Sequence, residues 1–183
     1  MKLFISGVFI LCSSMMTNDH IIFDFENNND AKGWSVVDDV VMGGRSSGNF
    51  KVNDNGYGLF YGDVSLENNG GFSSVRYYCQ PVDANDYKAF KVVVKGDGKN
   101  YQFRVKSDRY QRYSYKHEFT TNGEWQEFII PFEQLEPTFR GRSLDMPSYP
   151  GESCEELTFL IANGTAESFE LEIKSIGLVK NSQ

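Results

Sequence analysis

The chain has 183 residues, of which 40% are hydrophobic and 15% aromatic, and it carries a formal net charge of −7. This length and composition suit one folded domain with a sizeable core and are not typical of a disordered chain, in which aromatic residues are scarce. The acidic balance, with no run of Lys or Arg longer than a pair, argues against nucleic acid as a partner, because phosphate backbones are recognised by clustered basic residues. We therefore expect a single acidic domain.

The first fourteen residues resemble a secretory signal peptide. A basic second residue precedes an apolar stretch at 3–11, and small residues follow. That stretch is much shorter than the roughly 20 residues that a membrane-spanning helix needs, so we predict no stable membrane span. We predict cleavage after Ser14, export to the cell envelope or periplasm, and one domain over 15–183. Two alternatives stay open, lipidation of Cys12 and a cytoplasmic protein that keeps this segment as an N-terminal strand.

Alternating polar and apolar residues predict strands along the whole chain, since no long stretch has the 3.6-residue period of a helix. In chain order we predict strands at 21–25, 50–52, 57–64, 72–79, 90–95, 101–106, 113–119, 125–131, 157–161 and 169–178. The turn sequence at 96–98 predicts a hairpin, so that the four strands within 90–131 follow one another antiparallel. Asn163-Gly164 predicts a second hairpin that closes a sheet. About ten strands favour two packed sheets, an all-β sandwich or jelly roll.

The segment 133–153 has the least regular pattern and holds three of the five prolines. We predict a short helical turn at 132–135, followed by a long surface loop. Long loops in compact domains often carry function.

Cys79 and Cys154 lack the close spacing of metal or redox motifs. The sequence leaves open whether they form a disulfide or remain buried free thiols.

The sequence lacks the common catalytic patterns. His20 and His117 are far apart along the chain, and no G-x-S-x-G motif is present. Glycine-rich pieces at 42–46 and 69–72 do not match a phosphate-binding motif and predict tight turns instead. We therefore expect no enzyme activity, no metal site and no cofactor. A structural calcium ion stays an open alternative, because oxygen-rich loops of β-sandwiches often hold one.

Four motifs carry a family resemblance: VVDDVVMGGRSSGNF two residues after Trp34, YGDVSLENNGGFSSVRY, VKGDGKNYQFRVK and WQEFIIPFEQLEPTFRGR. Together they resemble the complex I intermediate-associated protein 30 family over residues 23–179. The resemblance implies a galactose-binding-like jelly roll, similar to non-catalytic carbohydrate-binding modules. Mitochondrial members of that family assist assembly of respiratory NADH:ubiquinone oxidoreductase. An export-like start in place of an Arg-rich transit peptide argues against that role for this chain.

The motif residues that we expect to form a ligand- or partner-binding site are polar or charged: Asp39, Arg45, Asn68, Arg76, Arg104 and Arg140. Arginine offers a planar fork for carboxylate, phosphate or sugar hydroxyls. The alternative is that Asp39, Asn68 and Arg76 form hydrogen bonds with buried backbone groups in the loops. Tyr101, Tyr113 and Tyr115 either stack on sugar rings or, as their alternation favours, pack on the inner face of the sheet.

Two functional hypotheses follow. The first is a non-catalytic binding or assembly-factor module that engages an unidentified protein partner through its loops. The second is a carbohydrate-binding module of the envelope, for which exposed aromatic side chains on a sheet are required. An enzyme with an unrecognised pair of carboxylates is a more distant third.

Overall fold

The computed structural model describes residues 19–28 and 30–180, which form thirteen strands in two antiparallel sheets. The predicted signal peptide, its cleavage site and Cys12 lie outside the described residues. In chain order the strands are β1 (His20–Asp24), β2 (Trp34–Asp38), β3 (Ser47–Val52), β4 (Gly58–Val64), β5 (Ser73–Asp83), β6 (Tyr87–Gly96), β7 (Asn100–Lys106), β8 (Ser114–Thr120), β9 (Trp125–Pro131), β10 (Glu136–Phe139), β11 (Arg142–Ser143), β12 (Ser153–Ile161) and β13 (Glu167–Lys180).

One sheet has six strands in the order β3–β4–β13–β6–β9, with β1 also paired to β13. The other has seven, in the order β11–β10–β8–β7–β12–β5–β2. The predicted all-β jelly-roll sandwich is confirmed. The helical segments within 19–28 and 30–180 are short 3-10 turns, and none is long and apolar enough to cross a membrane.

The core between the sheets follows the period of two that strand geometry imposes on side chains. In β7, Tyr101, Phe103 and Val105 are buried, whereas the residues between them face outward. The ring of Trp34 stacks on Phe50 at 4.9 Å between centroids. Each fully buried large apolar side chain contributes about 1.5–3 kcal/mol to folding, so these two inner faces hold the sandwich together.

The predicted hairpins at 96–98 and at Asn163-Gly164 are wrong. Strand β6 pairs with β9 and β13, whereas β7 pairs with β8 and β12, so the first turn crosses from one sheet to the other. The Tyr101 hydroxyl lies 2.9 Å from Asp97 Oδ1 and 3.1 Å from the Glu170 carbonyl, which ties this crossing to the opposite sheet. Similarly, β8 and β9 belong to different sheets, as do β12 and β13, so of the four strands predicted to follow one another antiparallel within 90–131 only β7 and β8 are consecutive and paired. Alternation shows which face of a strand is buried but not which strand lies beside it.

The predicted long loop at 133–153 is also partly wrong. The helical turn is present at Phe132–Gln134, but β10 and β11 follow it, and β10 pairs with β8. Leu135 and Tyr149 are buried in the core. Proline is rare within strands because it cannot donate a ladder hydrogen bond, and Pro137 in β10 conceals this strand from sequence patterns. Strand β2 was not predicted either.

Candidate functional site

A cleft of about 520 Å³ opens on the outer face of the seven-stranded sheet. Its floor is made by outward-facing residues of the central strands, and its rim by the β10–β11 turn and the loops near Met42 and Phe72. The side chains at its walls include an unusual number of cations. We call this feature the cationic cleft, and its basic and acidic lining residues are Arg76, Arg104, Lys106, Arg112, Arg140 and Glu156.

The floor of the cationic cleft carries two arginines in one row across three neighbouring strands. Thr158 of β12 is paired on one side with Arg76 of β5 and on the other with Arg104 of β7. Adjacent strands lie about 4.8 Å apart, so the Cα atoms of the two arginines are roughly 10 Å from each other, with a threonine hydroxyl between them. The two arginines are therefore separated by a single strand, at the position of Thr158.

Both floor arginines lack a carboxylate partner among the described residues. The Arg104 Nε and one terminal nitrogen donate to Gln102 Oε1 at 3.0 and 2.6 Å. Burial, together with the positive charge of Arg76, lowers the pKa of Arg104 to about 10, although Glu118 acts in the opposite direction. The Nε of Arg76 is buried and has no hydrogen-bond partner in the described part of the chain. A buried N–H donor without a hydrogen-bond partner lowers the stability of the fold.

Two further arginines stand at the rim. The guanidinium carbons of Arg112 and Arg140 lie 5.6 and 5.3 Å from the centroid of the Phe139 ring, within the range of cation–π contact. Arg140 has a φ of +51° and Gly141 a φ of +75° in the two-residue turn between β10 and β11. Positive φ at both central residues is characteristic of a two-residue type I′ hairpin, so this turn fixes the backbone of Arg140 at the rim.

Among the described residues that line the cleft, Glu156 carries the one carboxylate, and it is already paired. Lys106 Nζ donates to Glu156 Oε2 at 3.1 Å, and the Thr158 hydroxyl lies 3.4 Å from Glu156 Oε1. Apart from this pair, four arginines line the cleft and form no ion pair in the described residues: Arg76, Arg104, Arg112 and Arg140. A local excess of positive charge in an acidic protein attracts anions.

Beside the cleft, Asp39 is fully buried and organises two loops. Its carboxylate accepts hydrogen bonds from the backbone N–H of Ser46 (2.9 Å), Gly71 (2.6 Å) and Phe72 (3.2 Å), and from the Ser46 hydroxyl. A Cβ atom at Gly44 would lie 2.3 Å from Asp39 Oδ1, and one at Gly70 would lie 2.6 Å from Oδ2. Glycine is therefore required on both sides of the carboxylate.

The turn that follows Asp39 exposes three consecutive apolar residues, Val40, Val41 and Met42, whose exposed fractions are 60%, 74% and 62%. We call this segment the apolar tip. Gly43 ends it with a φ of +92° and donates its N–H to the Val40 carbonyl. Because Met42 also lines the cleft, the apolar tip and the cationic cleft form one continuous surface.

The six predicted site residues therefore divide into two groups. Arg76, Arg104 and Arg140 come together in the cleft. Asp39 is buried, Arg45 is exposed and paired with Glu67 at 3.1 Å, and Asn68 is an exposed turn residue with a φ of 56°. Binding by all six stays a prediction.

Sequence reasoning missed the other members of this surface. Lys106 and Arg112 join the cleft through strand pairing, which no linear motif reveals. The apolar tip did have a signal, three apolar residues beside a glycine pair. Tyr101 and Tyr115 are buried and Tyr113 is half-buried, so these tyrosines pack on the core as their alternation favours.

The described residues contain no group of three or more His, Cys, Asp or Glu side chains able to hold a metal ion. Cys79 and Cys154 are both buried and free, and the Cys79 thiol lies 3.4 Å from the Cys154 carbonyl oxygen.

The profile of the family described as "Complex I intermediate-associated protein 30 (CIA30)" matches residues 23–173. The chain belongs to this family. It is 27% identical over 188 aligned positions to the mitochondrial complex I intermediate-associated protein 30 of Mus musculus. The alignment covers 90% of this chain and 57% of the mouse protein, so the chain spans little more than half the length of that relative.

Solved structures show the same fold. The family 11 carbohydrate-binding module from Clostridium thermocellum, solved with a β-1,3-1,4-mixed-linked tetrasaccharide, has a TM-score of 0.64 and 16% identity, covering 90% of this chain and 97% of that module. The agarase AgWH50C has a TM-score of 0.58 and 12% identity, covering 90% of this chain and 25% of the agarase. At these identities the similarity is one of architecture.

Proposed function

We propose that this chain is a non-catalytic binding module of assembly-factor type, which engages a protein partner through loops at one side of its sandwich. The observation that carries the proposal is the apolar tip, because it exposes Val40, Val41 and Met42 together. Exposed apolar side chains that lie next to one another, rather than scattered singly, are typical of interaction surfaces.

The anchoring of the tip adds to this argument. The hydrogen bonds that Asp39 accepts from Ser46, Gly71 and Phe72 hold the backbone beside the apolar tip in place. A surface that is fixed before binding loses less conformational entropy on association, which favours affinity. Leu66, in the loop whose Gly71 and Phe72 donate to Asp39, is also 46% exposed.

The family relationship supports a protein as the partner. The name shared by the family and the mouse protein denotes association with an intermediate of a respiratory complex. We propose that this chain has kept the ability to hold a protein but that, with the predicted signal peptide, it meets an envelope protein rather than complex I. The non-catalytic part is supported by the cleft chemistry, since its one carboxylate is tied to Lys106.

The test compares two variants of the tagged chain in its native host. Val41→Asp places a charge in the apolar tip, and Ile129→Asp places one on β9, where Ile129 is 48% exposed. Both sites are on the surface, so both variants should fold. We expect a protein that co-purifies with the wild type and with Ile129→Asp to be lost from Val41→Asp. The same set of proteins with all three chains would contradict the proposal.

A second candidate function is carbohydrate binding, favoured by the open cleft on a sandwich that shares its architecture with a saccharide-bound module. In the described part of the chain, the aromatic residues that line the cleft are Phe72 and Phe139, and Phe139 is already in contact with two arginines. Affinity electrophoresis of the wild type in gels containing soluble glucans or agarose tests this alternative. Retardation that Val41→Asp leaves unchanged would favour it over protein binding.

A further inference from the structure

The four unpaired arginines of the cleft are notable because the chain as a whole has a net charge of −7. Elsewhere in the described residues cations lie beside acids, as in the pairs Arg45–Glu67, Lys95–Glu172 and Arg109–Glu155. Of the cations that line the cleft, only Lys106 has such a partner within 19–28 and 30–180. Four like charges gathered on one surface repel one another, and an anionic ligand removes that repulsion.

The positions of the arginines suit more than one carboxylate. Arg76 and Arg104 flank Thr158 on the floor, and Arg112 and Arg140 stand at the rim around Phe139. A guanidinium group binds a carboxylate through two parallel N–H bonds, and the four arginines of the cleft have no carboxylate partner among the described residues. Floor and rim therefore offer two separate places for negative charge.

The apolar part of the lining distinguishes a polypeptide from an acidic sugar. Met42, Phe72 and Leu160 line the cleft together with the arginines, and the cleft continues into the apolar tip. Aliphatic and thioether surfaces receive apolar side chains, whereas sugar rings stack on flat aromatic faces. A ligand that fits both the arginines and the apolar lining carries carboxylates and apolar side chains on one polypeptide.

We propose that the cationic cleft binds an acidic segment of a polypeptide, whose carboxylates pair with the four arginines and whose apolar residues pack toward Met42. This inference rests on the proposed function, since it assigns a chemistry to the partner's docking segment. It also assigns the cleft and the apolar tip to a single interface.

The test is a fluorescence anisotropy titration with a short fluorescein-labelled peptide of alternating glutamate and leucine. The same peptide with glutamine in place of each glutamate is the uncharged control, and labelled oligogalacturonate represents an acidic glycan. We expect the glutamate peptide to bind at low ionic strength at least about tenfold more tightly than the glutamine peptide, and to weaken as salt is added.

Two variants test the assignment to arginines. Arg140→Asn should weaken peptide binding several-fold while the chain stays folded, because asparagine tolerates the positive φ of this turn better than arginine. Arg104→Gln should weaken binding about tenfold or more, since it removes a positive charge from the floor. Arg142→Gln is the matched control, because Arg142 is exposed in β11 and does not line the cleft.

Three results would overturn the inference: equal binding of the two peptides, equal effects of Arg142→Gln and Arg140→Asn, or binding of oligogalacturonate in place of the glutamate peptide. The co-purification test is independent of these. If a partner co-purifies with the wild type but not with Val41→Asp, and the glutamate peptide does not bind, the proposed function is supported. In that case only the inference that the cleft binds an acidic segment is contradicted.

Discussion

Replacement of Asp39 by alanine tests how the loops beside the cleft are held. The variant leaves three backbone N–H groups, of Ser46, Gly71 and Phe72, without their acceptor. An unsatisfied buried donor costs about 1–3 kcal/mol, and water can reach part of this site through the half-buried Gly71 and Phe72. We therefore expect the free energy of unfolding to fall by about 3–5 kcal/mol, a large part of the roughly 5–15 kcal/mol of a typical domain.

The assay is urea unfolding at neutral pH, followed by the fluorescence of the half-buried Trp34 and the exposed Trp125. Asp54→Ala is the control, because Asp54 is exposed and its side chain has no hydrogen-bond partner in the described residues. It should unfold at the urea concentration of the wild type. If Asp39→Ala lost less than about 1 kcal/mol, the carboxylate would not be the anchor that we describe.

Three further predictions concern acid, a backbone contact and the N-terminus. Burial raises the pKa of Asp39, but hydrogen bonds from Ser46, Gly71 and Phe72 outweigh it and hold the pKa below its usual value. The wild type should therefore be more stable than Asp39→Asn, with the full difference in unfolding free energy above the unfolded pKa of about 3.9. That difference should disappear as the pH falls through the folded pKa. Gly62→Ala should lower the melting temperature more than Gly164→Ala, because both have positive φ but only at Gly62 would a Cβ lie 2.0 Å from the Ser47 carbonyl oxygen. Intact mass and fractionation of the full-length chain should give an envelope protein cleaved after Ser14.

Each of these predictions has a contrary outcome. A pH-independent difference between wild type and Asp39→Asn would mean that the ionised carboxylate does not stabilise the fold. Equal melting temperatures for the two glycine variants would show that β3 and β4 can separate at little cost. An uncleaved cytoplasmic protein would contradict export and bring respiratory subunits back as candidate partners, whereas lipidation of Cys12 would still place the chain in the envelope.

The strands were largely predictable because burial on one face of a sheet imposes alternation on the sequence. The outward-facing residues of β7, Gln102, Arg104 and Lys106, are the polar members of that pattern. The partners of each strand were not predictable, since Tyr101, Phe103 and Val105 would fill the core equally well beside β6 or beside β12. In a sandwich, a short turn can either reverse a strand within one sheet or carry the chain across to the other.

The candidate site was predictable only in part for the same reason. Arg76 and Arg104 stood out as polar residues within specific motifs, but Thr158 comes between them through pairing of β12 with both β5 and β7. Arg112 precedes β8, and it reaches the rim only because the unpredicted strand β10 lies beside β8. For Asp39 the sequence left two interpretations, a binding residue or an acceptor for buried backbone groups, and the hydrogen bonds show the second.

The most direct test of the central claim is photo-cross-linking in native cells, with a photoreactive amino acid at position 41 and, as the control, at position 129. Both side chains are exposed, but only position 41 lies in the apolar tip. We predict discrete protein adducts from position 41 that are absent from position 129 and reduced when Arg104 is replaced by glutamine. Adducts of equal yield from both positions, or none from position 41, would contradict the account of this chain as a protein-binding module.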